Sequence, residues 1–280
     1  MTDAIIGLLE IINDIVLSVG GDARPLTMPL GGFLNSIYTF ALVVMRSIAM
    51  PVAYVVLALF FSMELYKASV KIDGAGGGTQ LGVELIFRVM IKMVICKVVL
   101  DETPNILTAI YNATTELTTG ISNLVAGGGA TGGMDIAALE PVIEGLGFWG
   151  GIPVIIIVCI VLLVTLIAVG LANVIIVCRF VELFIYICIS PIPVATLPNE
   201  ELSQIGKNFL KSFVAVCIQG TLIFLVLSFF PILFNSGFLD NGGATGDIYL
   251  SLLGVLGYSI VLILAIFSTG KWAKSITHAM

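Results

Sequence analysis

The chain turns on one stretch, Arg179-Phe-Val-Glu-Leu-Phe-Ile-Tyr-Ile-Cys-Ile-Ser-Pro-Ile-Pro-Val-Ala-Thr-Leu-Pro-Asn199. An apolar run, Ile152 to Val177, precedes it. After it, Lys207, Asn208 and Lys211 lead into a second run, Phe213 to Phe234. Arg179 and Glu182 stand about one helical turn apart. Leu183 to Ile189 is apolar again, and Pro191, Pro193 and Pro198 then stop the helix. The pattern reads as two membrane-length helices joined by a rigid polar hinge, 190–211.

Composition supports that reading. The 280 residues are 59% hydrophobic and only 11% charged, against about 25% charged in soluble domains. Mean hydropathy is +1.14. No water-soluble core hides that much apolar surface, so the fold class is all-α, a polytopic helical protein with lipid as its solvent. The net charge of −6 argues against a nucleic-acid partner held on an exposed basic face, without excluding a lined channel. The five cysteines lie inside apolar runs and read as small packing residues. His278 is the lone histidine, so there is no metal-like Cys/His spacing and no Ser-His-Asp set. Neither an enzyme nor a bound cofactor or metal is expected. Met1-Thr2-Asp3 lacks a basic signal region, so insertion rests on the internal spans.

At the start, Asp3, Gly7, Glu10, Asp14 and Ser18 fall on one stripe of an amphipathic helix, with Ile5, Leu9, Ile12 and Val16 on the other faces. Residues 1–33 form this helix and a linker. Leu34 to Ala49 is helical in pattern, and Pro51 marks a break; the sequence leaves open whether this piece spans or lies flat. Crossings are expected near 45–65, 81–100, 152–178, 213–234 and 248–267. Asp73 to Thr79 and Gly127 to Gly133 read as glycine-rich loops, and Asn235 to Asp247 as an acidic one. Thr103 to Leu124 reads as an amphipathic helix between spans. In the last span Gly254, Gly257 and Ser259 offer close helix contact.

The second span carries Glu84, Arg88 and Lys92, four residues apart and so on one face, with Lys97 and Asp101 as a further pair. Such charges cost about 2.5–3.5 kcal/mol each at a span centre and turn to protein or to a water-filled path. Two readings fit. Glu84 and Arg88 neutralise each other while Lys92 snorkels or pairs with a carboxylate such as Glu64 or Glu182, or the stripe lines an aqueous path. The whole run from Ile152 to Ile189 is too long for one crossing: at about 1.5 Å per residue it exceeds 50 Å, against a hydrocarbon core of about 30 Å, so a single crossing is expected to end near Arg179. Phe180 to Ile189 therefore needs a protein cover, and the simplest one is a second copy of the chain, a homo-oligomer. Five crossings put the two ends on opposite sides, and the lysine distribution sets the N-terminus outside and the C-terminus in the cytoplasm. Lys67, Lys71, Lys207, Lys211, Lys271 and Lys274 then gather on the cytoplasmic side, as the positive-inside rule requires.

Arg179-Phe-Val-Glu182, Ser190-Pro-Ile-Pro-Val-Ala-Thr196, Asn199-Glu, Ile205-Gly-Lys-Asn-Phe-Leu-Lys211 and Gln219-Gly220 resemble the TrbL-like inner-membrane subunit of conjugative type IV secretion systems. The likeness is to the version carried by integrative conjugative elements of Gram-positive bacteria. Met50-Pro51, Leu57 to Phe61, Glu64 to Lys67, Ile91 to Val94 and Lys97 to Val99 extend it, so it covers about Met50 to Phe234. The resemblance implies a non-enzymatic, homo-oligomeric channel subunit of the cell membrane. Its partners would be membrane lipid, other secretion-system subunits and, transiently, single-stranded DNA with its relaxase. Arg88, Lys92 and Lys97 are the candidate lining within the spans, and Lys207 and Lys211 stand at the cytoplasmic mouth. The rival readings are a small-solute transporter, for which no internal repeat is seen, and a purely structural scaffold.

Overall fold

The computed structural model describes residues 2–22, 24–74, 79–127, 143, 145, 147–199, 201–240 and 248–279. Every described element is helical: α1 (Thr2–Asp22), α2 (Asn35–Val44), α3 (Met50–Gly74), α4 (Thr79–Asp101), α5 (Thr103–Gly127), α6 (Gly147–Ile189), the short α7 (Pro191–Val194), α8 (Ser203–Asp240) and α9 (Ile248–Thr277). A 3-10 turn covers Arg24–Thr27. Of the expected glycine-rich loops, Asp73, Gly74, Thr79 and Gly127 belong to helix ends, and 75–78 and 128–133 lie outside the described residues. The expected loop from Asn235 is helical as far as Asp240, because α8 continues; its remainder, 241–247, is outside the described residues.

Four described segments are long and apolar enough to cross a membrane: Asn35–Ile72, Trp149–Ile189, Ser203–Leu233 and Leu252–Thr277. Helix α4, expected as a crossing, stays outside this set because Glu84, Arg88, Lys92, Lys97 and Asp101 are spread along its length. Pro51 does not break the chain. A π-turn at Met45–Ala49 joins α2 to α3, and the Met50 N–H reaches back to the Met45 carbonyl. Such a turn absorbs the hydrogen bond that a proline cannot donate. Residues 35–49 thus continue the span instead of lying apart from it.

The described chain forms two compact units. The first comprises Met1–Met28, Thr114–Arg179 and Ile218–Ala273. In α1 the buried stripe is Ile5, Leu9, Ile12 and Val16, while Asp3, Glu10, Asp14 and Ser18 are exposed, as the periodicity requires. The featureless apolar run of α6 resolves into one buried stripe, Val154, Val158, Val161, Thr165, Ala168, Ala172 and Ile176, at spacings of three and four. Leu252, Val255, Ser259, Leu262, Ile266, Thr269 and Ala273 make the matching stripe of α9. Thr165 and Ser259 meet across the two helices, Oγ1 to Oγ 3.2 Å. Gly257, expected to admit a close neighbour, faces open space.

The second unit comprises Pro29–Ala113, Phe180–Cys217 and Lys274–Met280. Its core is Ala53 and Leu57 of α3, Met93 and Leu100 of α4, and Val194 and Ala195 of the proline corner. The opening turns of α3 and the second half of α4 pack against the corner, which is thus part of the unit's core.

Candidate functional site: a buried corner and a buried arginine

The proline segment is polar in composition yet hidden in the structure. Ser190, Pro191, Pro193, Val194, Ala195, Thr196, Pro198 and Asn199 are all buried. This is affordable because the local backbone satisfies itself. The Ala195 N–H donates to the Pro191 carbonyl at 2.9 Å, Leu197 to Val194 at 3.1 Å and Asn199 to Thr196 at 3.2 Å. Thr196 Oγ1 donates to the Pro193 carbonyl at 2.8 Å. Prolines bring no donor to satisfy and an apolar ring to bury. Asn199 then starts α8: its Oδ1 accepts the N–H groups of Glu201 at 2.9 Å and Leu202 at 3.1 Å, and its carbonyl accepts that of Ser203 at 2.8 Å. Gly206 completes the corner, since a Cβ there would lie 2.7 Å from both Leu197 Cδ2 and the Pro193 carbonyl oxygen.

The corner is tied to α3 at its rim. Lys67 Nζ lies 2.7 Å from Glu201 Oε1 and 4.0 Å from Glu64 Oε1. The Lys67 hydrogen bond and charge hold the Glu201 carboxyl below its ordinary range. A lowered carboxylate favours the linked state above the ordinary carboxylate pKa, and that preference is lost as pH falls through the lowered value. Because Glu201 is exposed, solvent keeps the contribution small.

The protein cover expected over the ten residues after Arg179 comes in part from within the chain itself. Phe180 packs on Phe33, ring centroids 4.8 Å apart, and Phe184 on Tyr38 at 6.0 Å. Tyr186 meets Phe209 and Phe213. Cys188 Sγ lies 3.7 Å from the Ala41 carbonyl, and Ser190 Oγ lies 3.6 Å from Met45 Sδ. What stays outside is a stripe of Val181, Ile185 and Ile189.

In the first unit the node is three consecutive residues of α8. Arg179, at 3% exposure, lies flat against Gly220, where an added Cβ would collide with its Cζ and both terminal nitrogens. Gln219 Nε2 comes within 3.5 Å of where a Cβ of Gly270 would stand, on α9. Thr221 Oγ1 shares a 2.8 Å hydrogen bond with Thr118 Oγ1 of α5 and donates to the Thr114 carbonyl at 3.4 Å. Gln219, Gly220 and Thr221 thus address α9, α6 and α5 in turn. A helix that rotated by one residue would lose all three fits together.

The other expected site residues divide. Arg88 Nη2 lies 3.3 Å from Glu84 Oε1, with both side chains well exposed. Lys92 is half-buried on the same helix. Lys97 lies 3.4 Å from Asp101 Oδ2, and Tyr54 donates to the other carboxylate oxygen at 2.6 Å. Glu64 Oε1 lies 4.0 Å from Lys67 Nζ. Arg179 falls in the first unit, while Glu182, half-buried, falls in the second. Pro191, Pro193, Pro198 and Asn199 form the corner, and Lys207 and Lys211 are exposed on the opening turns of α8. Sequence reasoning missed the Tyr54–Asp101 and Lys67–Glu201 links, whose partners are 47 and 134 residues apart. It also missed Thr118 facing Thr221, although threonines at 114, 115, 118 and 119 gave a signal. All the cysteines are free, and no cluster of three potential metal ligands occurs among the described residues.

Residues 13–191 match the family described as TrbL/VirB6 plasmid conjugal transfer like protein. The match begins within α1 and ends at the first proline of the corner, so Gly206 and Gly220 lie beyond it. No curated protein and no solved structure matches the chain. The matched segment runs through all the helices from α2 to α6 and covers more than half of the chain, and the chain therefore belongs to the TrbL/VirB6 plasmid conjugal transfer-like family.

Proposed function

We propose that this component of a conjugal transfer apparatus is a channel or scaffold subunit of the cytoplasmic membrane, assembled in several copies and supporting passage of the DNA–relaxase substrate. The observation that carries the reading is the family match over a chain with four membrane-length helices. The subunit is non-enzymatic in this reading, and other subunits of the apparatus supply ATP hydrolysis. The N-terminus faces out and the C-terminus faces the cytoplasm, which requires α4 to cross as well. A reporter fused after the last residue and active only in the cytoplasm tests that orientation; activity of the same reporter at the N-terminus instead would reverse it.

The lining role falls on α4 and is open to a direct test. Arg88→Glu with Lys92→Glu would place three carboxylates along one stripe, where an anionic strand would meet repulsion. Conjugative transfer is expected to fall by orders of magnitude while the protein still accumulates in the membrane. Exchanging Glu84 and Arg88 keeps the ion pair and the net charge, and is expected to spare transfer. Normal transfer by the double reversal rejects the lining. Because Arg88 and Lys97 each have a carboxylate neighbour, the scaffold reading gains weight if transfer is lost but the purified assembly shows no conductance in a planar bilayer.

A further inference from the structure

Within the first unit, α8 and α9 leave a groove of about 320 Å³ between them. Leu222, Leu225 and Phe229 of α8 face Tyr258, Leu262 and Trp272 of α9, and no charged residue lines it. Both walls belong to membrane-length segments. The approach of Gln219 to Gly270 shows that the Leu222 end of one wall lies beside the Trp272 end of the other. At that end Lys271, exposed, adjoins Trp272.

We propose that this groove seats one acyl chain of an anionic phospholipid whose phosphate rests beside Lys271. The size decides against a protein helix, which is about 10–12 Å across with its side chains; an extended alkyl chain fits. The wall chemistry decides against a polar ligand. Trp272 gives the groove a defined end, because indole favours the headgroup level with an apolar body below and an N–H above. Lys271 adds a charge at that level, so an anionic headgroup is preferred over a zwitterionic one. The proposal does not depend on the conjugation reading.

The chain has two tryptophans, so Trp149→Phe leaves Trp272 as the sole emitter. The full-length variant is placed in phosphatidylcholine vesicles carrying a minor fraction of phosphatidylglycerol brominated on its acyl chains. A parallel set carries the same fraction of brominated phosphatidylcholine. Brominated phosphatidylglycerol is expected to quench Trp272 more strongly, with about three- to fivefold enrichment at the groove, the size expected of one lysine near anionic lipid. Lys271→Gln should abolish the difference, and Ala265→Phe, which fills the groove, should weaken quenching by both lipids. Equal quenching by the two lipids in the Trp149→Phe chain overturns the proposal in favour of unselective bulk lipid. Weak quenching by both that rises as the protein is diluted overturns it in favour of a second copy.

Discussion

Gly220→Ala is expected to destabilise the protein, although alanine is the better helix former by about 1 kcal/mol. The added methyl group would stand inside the Arg179 guanidinium. Arg179 is buried at 3% exposure and follows the buried stripe of α6, so it has no free path outward. Overpacking of this kind costs about 1–3 kcal/mol, a large share of the roughly 5–15 kcal/mol that holds a domain together. The readout is the melting temperature of the detergent-extracted protein, followed by gel filtration after heating. Gly257→Ala is the control, because nothing lies within 4 Å of its Cβ position; it should be neutral or slightly stabilising. The mechanism makes a second demand. If Arg179 is the obstacle, removing it should relieve the clash, so Arg179→Ala with Gly220→Ala should be less damaging than the sum of the two single changes, by about 0.5–3 kcal/mol. Simple additivity would show that the methyl group is refused by something else.

How much of this was legible in the sequence depended on whether a signal was local. The acidic stripe of α1 was readable because Asp3, Glu10 and Asp14 recur at helical spacing and their apolar complement is buried. The Glu84–Arg88 pair was readable for the same reason. In α6 the length and helicity were plain, but the buried face was not, since nearly every residue from Ile152 to Val177 is apolar and lipid accepts either side. Pro51 read as a break because the rule for prolines assumes an ordinary α-helix, whereas a π-turn changes which carbonyl is used. The corner misled most. Its prolines, threonine and asparagine look like a loop for water, yet their hydrogen bonds close locally and leave an apolar surface to bury. The cover over Phe180 and Phe184 comes from Phe33 and Tyr38, roughly 150 residues earlier, and no pattern in either segment announces the other.

Gly206→Ala is expected to be the harsher of the two glycine changes, and the reason lies in what each methyl group would meet. At Gly220 the obstacle is a side chain, which a second substitution can remove. At Gly206 it is partly backbone: the Pro193 carbonyl oxygen stands 2.7 Å from the Cβ position, and Leu197 Cδ2 is equally close. The Pro193 carbonyl cannot withdraw easily, because it accepts the Thr196 N–H and hydroxyl and is set between Pro191 and the core residues Val194 and Ala195. The corner must therefore open for α8 to keep its place. Leu197→Ala should recover only part of the loss, unlike the rescue expected at Gly220. Opening exposes Val194 and Ala195 and parts them from Ala53, Leu57, Met93 and Leu100, so α3 and α4 loosen with it. Limited proteolysis should then cut between Thr196 and Leu202 in the variant and spare the parent chain. Full recovery by Leu197→Ala would place the obstacle in the leucine alone and leave the corner free to yield.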